Sequence, residues 1–218
     1  MKKVFIGVGH GGSDSGAIAH DGQFEKNLNL SIAKSCGAYL EKHGVQVAYS
    51  RTKDENDPVS QEVEECNRFA PDLAVDIHNN AGGGDGAEVF HTHKGGTGKT
   101  LAVNILGEIV KLGQNSRGVK TRVNSSGKDY YAFIRNTTAP AVIVECAFVD
   151  TKDLAIVDTE AERVVMGEAI ARGILATLGI STEPTTWYRV QVGAYRNKSN
   201  AEAMVAKLKQ MGVAAMIV

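Results

Sequence analysis

Strands alternating with helices predict an α/β sandwich around a largely parallel or mixed sheet, followed by a small C-terminal βαβ appendage. Three observations carry this. Short apolar runs rich in branched residues, VFIGVG (4–9), LAVDIH (73–78) and AVIVECAFV (141–149), read as buried strands. Longer segments between them carry apolar residues at three- and four-residue spacing, as helices with one buried face do. The pattern then breaks at GISTEPTT (179–186), a linker that separates residues 1–178 from 187–218.

Taken in order, strand 4–9 runs into a glycine loop around His10. Residues 25–43 form a helix through Leu28, Ile32, Cys36 and Tyr39–Leu40, and Gly44 ends it. VQVAYS (45–50) is the next strand. Asp57 and Pro58 read as an N-cap and a proline at the first helical position. That helix buries Val59, Val63, Cys66 and Phe69–Ala70 and stops before Pro71. After strand 73–78, GGGDG (82–86) is a loop and AEVFHTH (87–93) alternates as a strand. A helix over about 98–112 sets Leu101, Ile105, Ile109 and Leu112 on one face. YYAFIR (130–135) reads as a short strand, 141–149 as a central strand and 160–178 as the closing helix. In the tail, WYRVQVGAY (187–195) and VAAMIV (213–218) flank a helix, 197–212, capped by Ser199 or Asn200. So short a piece has little room for its own core.

Bulk properties narrow the function. The net charge is -1 with no strongly basic half, which argues against a nucleic-acid partner. No apolar run approaches the ~20 residues of a membrane span, and VFIGV is too short for a signal peptide core. Cys36, Cys66 and Cys146 are widely spaced and odd in number, so they read as buried thiols made in a reducing compartment.

Ligands of open α/β sheets bind beyond the carboxyl ends of the strands. His10 and His78 stand at such ends, Glu145 lies within an otherwise apolar strand, and Glu25 heads the first helix. A carboxylate in a buried strand is costly unless it is paired, protonated or on a metal. Two histidines and a glutamate meeting at one sheet end make an open zinc set, with Glu145 left to deprotonate a water. Spacing alone does not bring these groups together; an ion-paired Glu145 and histidines in ordinary turns are the bland alternative. His91 and His93 have no third ligand near in sequence and read as exposed or loop-lining; His20 and His43 read as surface residues. KGGTGKT (94–100) resembles a phosphate loop, but the motif needs glycine where His93 stands.

The ordered motifs GHGGSDSGA (9–17), Glu25 before NLNLSIA, GVQVAYSRTKD (44–54), DIHNNA (76–81), GAEVF (86–90) and APAVIVECAFV (139–149) resemble the zinc-dependent N-acetylmuramoyl-L-alanine amidases of the type-3 family, over residues 1–178. The resemblance implies a three-layer fold, with a twisted sheet of about six strands between helices. It implies metal ligation by His10, Glu25 and His78, with Glu145 catalytic. It implies hydrolysis of the amide between the lactyl group of N-acetylmuramic acid and L-alanine in peptidoglycan, with Zn2+ as cofactor. Asn80 and Arg51 are candidate substrate contacts, although Arg51 could instead pair with Asp54 or Glu55 at the surface. Asp76 stands where the family usually has serine, and is expected to accept a hydrogen bond behind His78. The short 81–86 connection lacks the blocking insertion of regulated members, so an open site is expected.

WYRVQVGAYRNKSNAEAMVAKLKQMGVAAMIV resembles half of a SPOR domain, a module that binds peptide-free glycan strands. A lone half implies pairing of two chains as a homodimer, or poor order. With no visible export signal, the expected route to the wall is a holin-type pore, as for a phage endolysin, or mother-cell lysis during sporulation. The rival readings are a zinc peptidase cutting within the stem peptide and a non-catalytic wall-binding protein.

Overall fold

The computed structural model describes residues 1–182 and 191–217. The chain forms two compact units, residues 1–182 and 183–218. The first contains β1 (Lys3–Val8), α1 (Glu25–Lys42), β2 (Gln46–Tyr49), α2 (Val59–Phe69), β3 (Leu73–Asn80), β4 (Ala87–His91), α3 (Thr97–Val110), β5 (Ser116–Lys120), α4 (Ala132–Asn136), β6 (Ala141–Phe148) and α5 (Glu160–Leu178). Six strands form one sheet in the order β2-β1-β3-β6-β4-β5. β4 runs antiparallel to β6, while the other neighbours are parallel. The α/β sandwich with a mixed, mostly parallel sheet is as the sequence predicts.

Strand periodicity explains the layers. Val4, Ile6, Val75, Ile77, Val89, Val142 and Val144 point to one face, against Leu28 and Ile32 of α1, Leu101 and Ile105 of α3, and Met166 and Ile170 of α5. Phe5, Ala74 and Ile143 point the other way, against Val63 and Cys66 of α2 and Phe133 and Ile134 of α4. On this second face the register places Gly7, Asp76, Ile143 and Phe90 in one row across the sheet. The next row along holds His78, Glu145 and Glu88. One hydrophobic face thus gives way, two residues further on, to a line of titratable groups. α5 starts with a capping box between Thr159 and Glu162 and ends at Gly179 in the left-handed region.

Four local readings need correction. Residues 132–136 are a helical turn rather than part of a strand. Phe133 and Ile134 are adjacent and both buried, which a one-sided strand cannot arrange. The Arg135 Nη1 donates to the carbonyls of Asp129 and Tyr130 and fixes the turn. β5 was not foreseen, because SRGVK has one apolar residue and pairs only as an edge. Pro58 is the N-cap in extended conformation rather than the first helical residue, and Val59 is exposed. In the second unit, α6 (Lys198–Gln210) is capped by Asn197, whose Oδ1 accepts from the Ser199 amide at 3.0 Å, in place of Ser199 or Asn200. Among the described residues, 191–195 and 213–217 form no strand. The strands read from sequence over 187–195 and 213–218 lie partly outside the described residues.

Candidate metal centre

The glycine loop after β1 turns back on itself through reciprocal backbone hydrogen bonds between Gly11 and Asp14, at 2.9 and 3.0 Å. His10 sits there at φ 64°, a left-handed conformation that a non-glycine residue rarely adopts. Glu25 is the first residue of α1 and is buried. Its Oε2 accepts from the Ala17 amide at 2.9 Å, and its Oε1 from the Asn79 amide at 3.0 Å and Asn29 Nδ2 at 3.2 Å. His78 comes from β3.

These three side chains converge. His10 Nε2 lies 3.2 Å from Glu25 Oε2, and His78 Nδ1 lies 3.2 Å from Glu25 Oε1. One donor atom from each falls within 4.8 Å of the others. The outer nitrogen of each ring faces a carboxylate: His10 Nδ1 is 2.9 Å from Asp14 Oδ2, and His78 Nε2 is 3.1 Å from Asp76 Oδ2. With the outer N–H donated, the inner nitrogen presents a lone pair to the common centre. Two imidazoles and one carboxylate, each oriented from behind, fit a zinc-type cation by number and donor chemistry.

Electrostatics supports the same conclusion. Burial opposes charge on Glu25, but hydrogen bonds and charge interactions with His10 and His78 outweigh it and hold the carboxyl far below its usual range. Burial likewise opposes charge on His78, yet Asp76 and Glu25 hold it well above its ordinary range. A buried carboxylate that draws protons onto two histidines attracts a cation just as well. Asp76 is itself backed by the buried Glu62, whose carboxyl is pushed well up by burial and then by Asp76.

Glycines make room for this packing. A Cβ on Gly9 would stand 2.2 Å from His78 Cε1 and 2.4 Å from Nε2. A Cβ on Gly16, at φ +63°, would stand 2.6 Å from both Glu25 Oε2 and His10 Cδ2. Asp14 and Gly16 are not singled out by the sequence, although both lie in the GVGHGGSDSG stretch that flags His10.

Glu145 is the cross-strand partner of His78 on one side and of Glu88 on the other. Directly paired residues share a face, so its carboxyl stands beside the three converging groups. Burial pushes it up to about 7, and the charges of Glu25, Asp76 and Glu88 push the same way against His78. A carboxyl poised near neutrality is suited to general acid–base work.

Other sequence candidates fare differently. Arg51 is buried and spends its guanidinium on the carbonyls of Val8, Gly9, Lys26 and Lys53. It is a strut under the His10 loop, neither a substrate contact nor a partner of Asp54 or Glu55. Asp54 instead pairs with Lys26 at 2.8 Å. Asn80 donates to Glu88 Oε1 at 3.1 Å and accepts from the Ala81 amide at 2.9 Å, so both ends of its side chain serve the scaffold. His91 is buried at the end of β4, contrary to the exposed reading, and His93 is held by Asp129 at 2.8 Å. Residues 81–86 form a plain connection with no helix over the centre. The His10 and His78 side chains keep 25% and 22% of their exposure, enough for a substrate to reach them.

Comparison with known proteins gives the family. A family model described as N-acetylmuramoyl-L-alanine amidase matches residues 4–176, and a SPOR domain model matches 184–218. The chain is 33% identical over 223 residues to the N-acetylmuramoyl-L-alanine amidase CwlM of Bacillus licheniformis, covering 100% of this chain and 85% of that protein. It is 30% identical to the sporulation-specific N-acetylmuramoyl-L-alanine amidase of Bacillus subtilis, covering 97% of this chain and 82% of that one. Among solved structures, Cwp6 from Clostridium difficile superposes with a TM-score of 0.80 at 39% identity, over 81% of this chain and 29% of that one.

Proposed function

We propose that this chain, which belongs to the N-acetylmuramoyl-L-alanine amidase family, hydrolyses the amide joining N-acetylmuramic acid to the L-alanine of the peptidoglycan stem peptide. In this reading His10, Glu25 and His78 hold zinc, and Glu145 is the general base. The observation that carries it is the row on the sheet: a three-donor cluster with Glu145 paired beside it. Zinc bound there supplies a Lewis acid that polarises the scissile carbonyl and acidifies water at the site.

The chain's own residues do the rest. Asp14 and Asp76 fix the ring orientations of His10 and His78, and Asn29 and the Asn79 amide fix the Glu25 carboxylate. Glu145 takes the proton of the attacking water as the oxygen bonds to the carbonyl carbon. It then gives that proton to the departing nitrogen as the C–N bond breaks, leaving a free lactyl carboxylate and a stem peptide beginning at L-alanine.

The tail, matched to the SPOR family, is assigned to holding the chain on the wall, either singly or as two halves paired between chains. Among the described residues no helix is long and apolar enough to cross a membrane. Action is assigned to the cell wall, reached through mother-cell lysis or a pore, in keeping with a sporulation-specific relative and an endolysin relative from Bacillus phage SPP1. A wall-binding protein without activity would have no use for a half-buried carboxyl beside a three-donor cluster. The test is Glu145→Ala. The variant should keep about one zinc per chain by elemental analysis and lose amidase activity by roughly 10²–10⁴-fold. A variant that stays active refutes the role.

A further inference from the structure

The row that carries His78 and Glu145 continues to Glu88, and beyond Glu88 the sheet ends in two cations. Glu88 is buried, and its Oε2 takes both Arg117 Nε at 2.7 Å and Lys120 Nζ at 2.5 Å. Its Oε1 takes Asn80 Nδ2 at 3.1 Å. The Arg117 guanidinium also lies over the Phe148 ring, 4.8 Å from its centroid. Arg117 and Lys120 are therefore held rather than loose, yet their side chains keep 38% and 35% of their exposure. Both terminal nitrogens of Arg117 lack a hydrogen-bond partner among the described residues, and Lys120 has donors to spare. One buried anion fixes two cations, so the spot keeps a net positive charge. On the metal side the neighbouring charges are acidic, Asp14, Glu25, Asp76 and Glu145, while the nearest cations, Arg51 and Lys26, are spent on carbonyls and Asp54 under the loop.

Resting on the amidase reading, we propose that Arg117 and Lys120 form a subsite for a free carboxylate of the stem peptide. The muramic acid glycan is uncharged away from the scissile amide, whereas the stem peptide carries carboxylates. The cationic edge therefore marks the side toward which the peptide runs. Strands lie about 4.8 Å apart, so β5 is about 10 Å from β6. An extended peptide advances about 3.3–3.6 Å per residue, which brings the second or third stem residue within reach of these side chains. Glu88 acts as the positioning residue for both cations.

The experiment uses the zinc-loaded full chain on synthetic N-acetylmuramoyl peptides, with all other carboxylates blocked as amides. One pair has the second-residue α-carboxylate free or amidated. The other has diaminopimelate or lysine at the third position. In one of the pairs the carboxylate should raise kcat/KM roughly ten- to a hundredfold, and that pair identifies the group bound. The ratio should fall toward one in Arg117→Gln/Lys120→Gln, with either single variant standing in should the double fail to fold. Equal rates within both pairs for the wild-type chain overturn the subsite while the amidase reading stands. A ratio that persists in the variants overturns the assignment to these two residues. Hydrolysis of none of the four substrates removes the amidase reading and the subsite together.

Discussion

Replacing Gly9 with alanine puts the account of the metal centre under direct strain. The new methyl would sit 2.2, 2.4 and 2.5 Å from Cε1, Nε2 and Nδ1 of His78. Ordinary contact needs about 3.4 Å or more, so the ring must retreat by about 1 Å. The backbone cannot give way instead. The Gly9 amide donates to Ile77 at 3.0 Å, and its carbonyl accepts from Asn29 at 3.0 Å and Arg51 at 3.2 Å. Gly9 has no positive φ, so alanine brings no backbone strain of its own. Moving one ligand by this distance should weaken zinc about 10–100-fold and cut turnover about 100-fold. Competition against a chromophoric chelator reads the first, and release of stem peptide the second. Gly107→Ala on α3, where nothing lies within 4 Å of the added methyl, is the control and should match wild type. Zinc affinity and turnover within twofold of wild type in Gly9→Ala would refute the packing of His78 on this loop.

Further outcomes follow from the site and from the tail. Asp76→Ser should weaken zinc about 10–100-fold by freeing the His78 ring; Asp14→Ala should cost less, because Asp14 is 68% exposed and water can replace it. Unchanged affinity in Asp76→Ser would remove its orienting role. Burial lifts Glu145 from 4.5 to about 7, so in metal-free protein the folded state binds its proton more tightly than the unfolded state. Its stabilising contribution is full below about pH 4.5 and is lost as the pH rises through about 7. Glu145→Gln should therefore gain about 2–3 kcal/mol on wild type between pH 4 and pH 8, and a pH-independent difference in denaturant midpoints would refute the burial. Removing residues 183–218 should leave turnover of soluble muramoyl peptides intact and reduce retention on purified wall. Light scattering of the full chain and of residues 1–182 decides between the two forms of the tail: a dimer only with the tail present supports pairing of halves, and a monomeric full chain sinks it.

The parts of the molecule legible in sequence are those where one physical demand dominates. Fully buried strands must be apolar, so 4–9, 73–78 and 141–149 stand out, and a glutamate or histidine there is conspicuous. Edge elements answer to no such demand. β5 is polar because one side of it meets solvent, and the Glu88–Arg117–Lys120 cluster goes unseen with it. Glu88 alternates with Ala87 and Val89 as any outward residue would; only the register reveals that it lies in line with Glu145. Arg51 looks like a surface charge, because nothing in its neighbours foretells that four carbonyls will surround it. The same limit applies to Asp14 and Gly16: their roles arise when the loop closes on Glu25, a contact between residues far apart in conformational terms though near in sequence. YYAFIR (130–135) misleads because aromatic and branched residues favour strands, while a helical turn buries two adjacent side chains where a strand buries one.

The most direct measurement of the central claim is mass spectrometry of the products after the zinc-loaded chain digests purified cell wall. The account predicts intact stem peptides with a free L-alanine amino terminus, alongside glycan bearing free lactyl carboxylates. Shortened peptides, with the muramoyl–alanine amide still joined, would contradict it and identify a peptidase instead.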